Sequence, residues 1–488
     1  MSYNFGVKDL SMSLLNAEYA VRGKVPTRAG EIQKILDKGN NQDGKSYPFT
    51  ELTEANIGNP QTFGQPPISF FRQVLSGILN PDLIEEGAFK NQDVVNRVKF
   101  YQKNIKGNVG AYTNSLGYEF VRQSIANFIA KRDNLPVEKD LTNYMTLDGA
   151  SQGVHLIMNA FVAHSSDGVM VPIPQYPLYS AAIALKGGQQ VPYYLDEENQ
   201  WQCSMEELER AYTEAKSRKI NPKILVVINP GNPCGNILTE ETIKKFIKFA
   251  YDKKMIIIAD EVYQTNIYNK QKKFHSFKKI QASLEAPYNK GELFSVHSTS
   301  KGILGECGIR GGYMEMINVD PEVKAQLVKL KSINLCSNTT GQLMTELMCN
   351  PPSEDNGASQ ESIKKYNQEV EDLFNGLLSR INTVNKYLNS LKNIKSQDSE
   401  GAMYVFPQVI LSKKAIEAAK KEGQSPDLFY CLNVLENTGL VIVPGSGFGQ
   451  VDGTYHFRIT NLIRPESKLE DTLKRFKEYN EKFHQQYE

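Results

Sequence analysis

The chain lacks any long apolar run. Its longest, such as Met255-Ile256-Ile257-Ile258-Ala259, fall far short of the roughly 20 residues that span a bilayer, so no membrane partner is expected. The N-terminus has no continuous apolar signal segment and is not Arg-rich, and Asp9 and Glu18 sit early. A cytoplasmic location is the expectation, with a mitochondrial one left open. The final Gln-Gln-Tyr-Glu is neither a peroxisomal nor a retention tail. Cysteines at 203, 234, 307, 336, 349 and 431 form no C-x-x-C pair, which points to reduced thiols. Charge of one sign is not in excess: the net charge is +1 and basic residues are scattered, so no nucleic-acid partner is expected. The histidines at 155, 164, 275, 297, 456 and 484 show no H-x-H or H-E-x-x-H spacing, so no metal site is expected. No internal repeat is visible.

What remains is a globular composition, 40% hydrophobic and 23% charged over 488 residues, long enough for a large core and for two or three domains. Residues 1 to about 50 are polar and mixed, with one helix-like stretch, Arg28 to Lys38. From Tyr144 to Ile317 short β-branched runs alternate with amphipathic helices, the texture of α/β construction. The expected strands are Tyr144–Leu147, Gly168–Pro172, Gln190–Tyr194, Ile224–Ile228, Met255–Ala259, Leu293–His297 and Gly312–Ile317. Pro351-Pro352-Ser353-Glu354-Asp355-Asn356-Gly357 is a strong break that reads as a domain boundary or hinge, followed by a helical pattern over 360–392. The basic run Lys270 to Lys279 reads as a solvated loop.

One βαβ unit is legible in detail. After the strand Ile224–Ile228, Thr239 is a helix N-cap with Glu240 and Glu241 in the first turn. Ile243, Phe246, Ile247, Ala250 and Tyr251 follow at i, i+3, i+4, i+7 and i+8, one helix face. If the strands run parallel, their C-terminal ends share an edge, where open α/β sheets bind ligands. That edge carries Asn229-Pro230-Gly231-Asn232-Pro233 and Asp260-Glu261-Val262-Tyr263. Two further strands, if parallel, add Ser298-Thr299-Ser300-Lys301 and Asp148-Gly149-Ala150-Ser151-Gln152, the latter opening a helix. Small residues and a hydroxyl at a helix start make an anion site, with phosphate the obvious guest.

Each residue has an ordinary alternative. Lysines are abundant and an isolated one is usually surface charge. Asp260 suits a helix cap or a metal ligand, and Arg310 and Arg458 suit the surface. Arg458, however, lies in the apolar run His456-Phe457-Arg458-Ile459, which favours a specific anionic partner. Tyr176 is either packing or a platform for a flat ring. Lys301 is singled out by its company: a carboxylate, a phenol, an asparagine and a phosphate cup on one edge. That set meets the needs of pyridoxal phosphate, a lysine for the Schiff base and a carboxylate for the pyridinium nitrogen. Ser298-Thr299-Ser300-Lys301 also fits the S-x-x-K of penicillin-recognising enzymes, but the companion S-D-N and K-T-G motifs are missing. Gly445-Ser446-Gly447-Phe448-Gly449 resembles a dinucleotide loop, but runs into a strand-like segment rather than a helix.

With these residues in view the sequence resembles the fold-type-I pyridoxal-phosphate-dependent aminotransferases, and within them the alanine aminotransferase branch. The resemblance is carried by Ala17-Glu18-Tyr19-Ala20-Val21-Arg22-Gly23, Ala55-Asn56-Ile57-Gly58 with Gly64-Gln65-Pro66-Pro67-Ile68, and Tyr112-Thr113-Asn114-Ser115-Leu116-Gly117. It continues in Pro172-Ile173-Pro174-Gln175-Tyr176-Pro177-Leu178-Tyr179, the asparagine loop, and Asp260-Glu261-Val262-Tyr263-Gln264. Ser300-Lys301-Gly302 through Gly305-Glu306-Cys307-Gly308-Ile309-Arg310-Gly311-Gly312-Tyr313 and Pro444 to Gln450 complete it. The asparagine loop marks the broad superfamily; the Gly-Glu-Cys-Gly stretch and the N-terminal piece mark the alanine branch.

The resemblance implies a large three-layer α/β/α cofactor domain with a mostly parallel sheet over about 105–345. It implies a smaller α+β domain over about 350–488, joined by an N-terminal arm and further small-domain residues within 1–104. Lys301 would hold pyridoxal 5'-phosphate as a Schiff base and then act as acid and base. Asp260 would bind the pyridinium nitrogen, Tyr263 and Asn232 the ring oxygen, and Tyr176 the ring face. Ser151 with the amides of Ala150 and Gln152, plus Ser298 and Arg310, would take the phosphate. Arg458 would clamp the substrate carboxylate, with Gly58 nearby. Tyr112 would reach the phosphate in the neighbouring subunit, making a homodimer with shared sites. The implied reaction is ping-pong transfer between L-alanine and 2-oxoglutarate, giving pyruvate and L-glutamate. A glutamate:glyoxylate or broader-specificity aminotransferase is the alternative. A silent regulatory protein on the same scaffold is disfavoured, since binding alone needs no Schiff-base lysine. Two positions depart from the wider pattern: Cys234 stands where many relatives carry threonine, and Arg310 lies nine rather than eight residues after Lys301.

Overall fold

In the computed structural model the described residues are 6–17, 19, 23–40 and 46–488. Glu18, Ala20, Val21 and Arg22 of the N-terminal motif lie outside them. All seven expected strands form, within three residues of their expected bounds. They are β1 (Tyr144–Thr146), β2 (Asp167–Ile173), β3 (Gln189–Tyr194), β4 (Asn221–Ile228), β5 (Ile256–Asp260), β6 (Leu293–Ser298) and β7 (Gly312–Ile317). They make one sheet in the order β1-β7-β6-β5-β4-β2-β3. Only β7 opposes the rest, pairing antiparallel with both β1 and β6. The other pairs are parallel, so six C-terminal ends share one edge. The reversal of β7 has a consequence for the site: Gly312, its first residue, lies opposite Ser298, the last of β6, so the chain just before β7 starts at that same edge.

The sheet is covered on both faces, as parallel sheets require. Alternate residues of β4 divide between the two layers: Ile224, Val226 and Ile228 pack with Val154, Ile157 and Met158 of the helix Ala150–Phe161. Leu225 and Val227 pack with Leu208, Ile243 and Phe246 on the other side. Each such side chain, fully buried, contributes about 1.5–3 kcal/mol of transfer free energy. In the helix Glu240–Asp252, Thr239 Oγ1 accepts from Thr242 N at 3.1 Å, the expected cap. Its buried face includes Phe249, while Tyr251 is only half-buried. The helix expected over Arg28 to Lys38 runs Lys24–Asp37, starting one turn earlier.

The reading of 270–279 as a solvated loop holds only for its first half. Phe277 is buried in the helix Phe277–Ala282, and Lys278 pairs with the buried Glu315. Burial raises Glu315, and the Lys278 ammonium beside it works against that rise. Residues 351–357 form a short turn between the helices Thr339–Cys349 and Gln360–Asn389. Beyond it lie β8 (Ile394–Lys395), β9 (Tyr404–Val405), β10 (Gln408–Val409), β11 (Val443–Pro444) and β12 (Phe457–Thr460). β9, β12 and β11 form a three-stranded sheet. Val25, Ile32, Phe71 and Val74 from the N-terminal helices share a core with Leu377, Leu435 and Phe476. No helix among the described residues is long and apolar enough to cross a membrane.

Candidate active site

The sheet edge opens onto a cavity of about 570 Å³, within the range of small-molecule sites. At one end β1 gives way to Asp148-Gly149 and the helix Ala150–Phe161. Gly149 has φ +80, and a Cβ there would lie 2.1 Å from Arg310 Nη2, so only glycine lets that guanidinium cross the turn. Arg310 Nη2 donates to the Asp148 carbonyl at 2.9 Å, and Nη1 donates to Ser300 Oγ at 3.1 Å. Ser298 Oγ accepts from Ser300 N at 2.9 Å. Ala150, Ser151, Ser298, Ser300 and Arg310 therefore meet in one cup lined by hydroxyls, a guanidinium and the start of a helix.

Gln152 does not join this cup. Its amide donates to the Gly149 carbonyl at 3.1 Å within the turn. Its side chain carbonyl accepts from Asp148 N at 2.9 Å and from Lys331 Nζ. Lys331, which sequence reasoning missed, is buried behind the cup and also donates to Ser337 Oγ at 2.7 Å. Burial pulls its ammonium down to about 8, against the opposing charge of Asp148. An exposed-looking KLKS tetrapeptide carries no signal of that role.

At the centre, Asp260 ends β5 in a buried position. Tyr179 Oη donates to Asp260 Oδ2 at 2.8 Å, and Val262 N approaches Oδ1 at 3.4 Å. Burial pushes the carboxyl up to about 6, while Tyr179, the Val262 amide and the Lys301 charge pull it back. Oδ1 thus keeps acceptor capacity toward the cavity. The next residue, Glu261, faces the other way: Ser295 Oγ donates to it at 2.6 Å and Phe277 N at 2.8 Å, which anchors the loop. Tyr263 is buried, and its hydroxyl has no hydrogen-bond partner among the described residues. Tyr176 shares a 2.8 Å hydroxyl contact with Tyr19 and lines the cavity with its ring. Lys301 Nζ donates to the Gly58 carbonyl at 2.9 Å.

The far end is built from distant segments. Arg458, 2% exposed, donates from Nη1 to Asn232 Oδ1 at 3.0 Å and from Nη2 to the Asn56 carbonyl at 2.5 Å. Its Nε has no partner among the described residues, so donor capacity remains unspent. The guanidinium carbon lies 4.0 Å from the Tyr404 ring centre and 4.7 Å from that of Phe448. Tyr404 is the second site residue that sequence reasoning missed. The strand-like Tyr404-Val405-Phe406 was its only sign, and apolar runs of that kind are common. Tyr112, like Gln152, is an expected residue that its own chain does not bring to the cavity: it is 79% exposed and absent from the cavity wall.

This geometry has relatives. The family model of aminotransferase class I and II matches residues 85–476. Alanine aminotransferase 2 of Panicum miliaceum is 44% identical over 491 residues, spanning 100% of both chains. A probable mitochondrial alanine aminotransferase of Dictyostelium discoideum is 42% identical over 485 residues, 99% of this chain and 90% of its own. Among solved structures, an alanine aminotransferase from Pyrococcus furiosus superposes with a TM-score of 0.74 at 23% identity, covering 97% of this chain and 100% of that one. An aminotransferase from Escherichia coli gives 0.74 at 22% identity, covering 97% and 98%. At those identities the two structures speak for the fold.

Proposed function

The chain belongs to the class I and II aminotransferase family, and from that premise we propose that it transfers the amino group of L-alanine to 2-oxoglutarate, giving pyruvate and L-glutamate, with pyridoxal 5'-phosphate as cofactor. The observation that carries this reading is the meeting of Lys301, the buried Asp260 carboxylate and the half-used Arg458 fork in one cavity.

The residues present fit the cofactor. A partnerless Tyr263 hydroxyl and a buried carboxylate with a spare oxygen are costly unless a polar group completes them. Asp260 would hold the proton of the ring nitrogen, Tyr263 and Asn232 the ring oxygen, and Tyr176 the ring face. Ala150, Ser151, Ser298 and Arg310 would hold the phosphate; Gln152 supports that turn from behind. Bound there, pyridoxal phosphate supplies an electron sink for charge developing at the substrate's α-carbon. Lys301 would carry the group, and its amine would move the proton from the α-carbon as general base. Arg458 receives the α-carboxylate common to every substrate, using N–H groups that Asn232 and Asn56 leave free, with Gly58 giving room.

We assign the cofactor domain to about 105–345 and the smaller domain to about 350–488 with part of 1–104. The exposed position of Tyr112 supports a homodimer in which this tyrosine serves the partner's phosphate cup. For compartment the cytoplasm is our reading, supported by six unpaired cysteines; the mitochondrial designation of the Dictyostelium relative supports the mitochondrion as the alternative.

Initial rates test the function. With both substrates varied, reciprocal plots should be parallel, and cofactor-loaded protein given L-alanine alone should release one pyruvate per site. Absence of pyruvate would refute the assignment. A higher kcat/KM with glyoxylate than with 2-oxoglutarate would move it to the broader-specificity alternative.

A further inference from the structure

Tyr404 has a place in the site that none of the residues discussed so far fills. β9 pairs with β12 so that Thr460 lies opposite Tyr404 and Ile459 opposite Val405, which brings Arg458 one step beyond that pair. The phenol ring lies against the guanidinium at 4.0 Å, closer than Phe448. A cation over an aromatic face is attracted by the ring's quadrupole and loses freedom to rotate out of plane. The other end of the phenol reaches Gly58, whose carbonyl accepts from Lys301. A Cβ built on Gly58 would lie 1.9 Å from Tyr404 Oη and 3.3 Å from Lys301 Nζ. The glycine therefore keeps open a small space bordered by both the hydroxyl and the amine, while Lys301 Nζ donates to the Gly58 carbonyl.

We infer that Tyr404 is a positioning residue for the transamination: its ring fixes the plane of the Arg458 fork, and its hydroxyl holds the freed Lys301 amine aimed at the substrate's α-carbon. This rests on the reading of Lys301 as the working base. The two ends do separable things. Loss of the ring loosens the carboxylate clamp and acts on every substrate alike. Loss of the hydroxyl alone leaves the clamp intact and lets the amine wander, which slows proton transfer.

The electrostatics agree with the placement. Burial alone raises a phenol's pKa. Here the Lys301 ammonium and the Arg458 guanidinium outweigh that burial and the opposing Cys307 thiol, and hold Tyr404 below its ordinary value. Tyr176 and Tyr263, on the neighbouring walls, are raised by burial instead.

Two variants and one spectroscopic titration test this. Tyr404→Phe should keep KM for L-alanine and 2-oxoglutarate within about twofold and lower kcat roughly tenfold, the scale of one charge-assisted hydrogen bond. Tyr404→Leu should raise both KM values together by about tenfold as well as lowering kcat. In cofactor-free protein, ultraviolet titration of tyrosine ionisation should lose its earliest component in Tyr404→Phe. An unchanged kcat in the phenylalanine variant, an unchanged KM in the leucine variant, or an unaltered titration would each overturn the proposal. Wild-type protein that fails to turn over L-alanine would instead overturn the functional reading, and the titration would still decide where Tyr404 stands.

Discussion

The two ends of the cavity are made in different ways. The cofactor end is assembled from the ends of neighbouring strands in one sheet: Gly149 to Ser151 after β1, Asp260 at the end of β5, Ser298 to Lys301 from the end of β6, and Arg310 before β7. The carboxylate end joins Asn56 and Gly58, Asn232, Tyr404 and Arg458, and its main pairings span 226 and 402 residues of chain. The first end is held by β1, β5, β6 and β7, strands that are almost entirely buried. The second depends on a three-stranded sheet and a loop from near the N-terminus meeting that first sheet. Chemistry divides along the same line: the cofactor end should govern whether the coenzyme is retained and reacts, and the carboxylate end how substrates are gripped.

The largest expected effect tests the cofactor end. Lys301→Ala should lower kcat by at least about a thousandfold, since it removes both the attachment point and the base. After dialysis of the cofactor, the visible absorbance band should also be gone. Turnover near wild type would break the comparison at its root.

Asp260→Asn comes next and gives two opposite readouts. Transamination should fall roughly a hundredfold, because a neutral amide cannot stabilise a proton on the ring nitrogen as a carboxylate does. Cofactor-free protein should become more stable at neutral pH. Folding raises this carboxyl from 3.8 to about 6, so the folded chain binds the proton more tightly. The resulting stabilisation is complete below the ordinary value and is lost as pH rises through about 6. Above that, the buried charge costs on the order of 2–3 kcal/mol, which asparagine would relieve. Thermal melts of both cofactor-free proteins between pH 5 and pH 8 would check this: the gap should widen with pH, and a constant gap would contradict it.

Arg458→Lys sharpens the comparison from the other end. Lysine lacks the planar fork, so KM for L-alanine, L-glutamate and 2-oxoglutarate should rise together, by roughly 10- to 100-fold, with the cofactor retained. A loss confined to one substrate would mean that Arg458 reads a side chain.

This same division explains what was legible in the sequence. All seven strands of the main sheet, the Thr239 cap and the edge residues follow from periodicity, turn chemistry and parallel topology, which are local signals. Lys331 and Tyr404 were not legible because their roles come from contacts across the fold. Lys331 reaches Gln152 across 179 residues of chain, and nothing near it marks it as buried. Tyr404 owes its position to β-pairing with β12 and to the gap at Gly58. Lys278 was misread for the same reason, since its partner Glu315 lies on another element. Tyr112 is different again: its sequence context suggests reach, and in the proposed homodimer its destination would lie on the partner chain.

The smallest effect concerns that tyrosine. Lys301→Ala and Tyr112→Asp proteins, each weak alone, should regain activity when co-refolded, because one site of the mixed dimer is complete. Recovery should approach a quarter of the wild-type rate, since about half the dimers are mixed and each has one intact site of two. Mixed dimers, demonstrated by differential tags, without recovered activity would confine Tyr112 to its own chain.

The most direct measurement is the visible absorbance of the cofactor-loaded protein as L-alanine is added. The band carried by the Lys301-bound cofactor should disappear as pyruvate is released and return on addition of 2-oxoglutarate as L-glutamate forms. A band that L-alanine leaves unchanged would contradict the account.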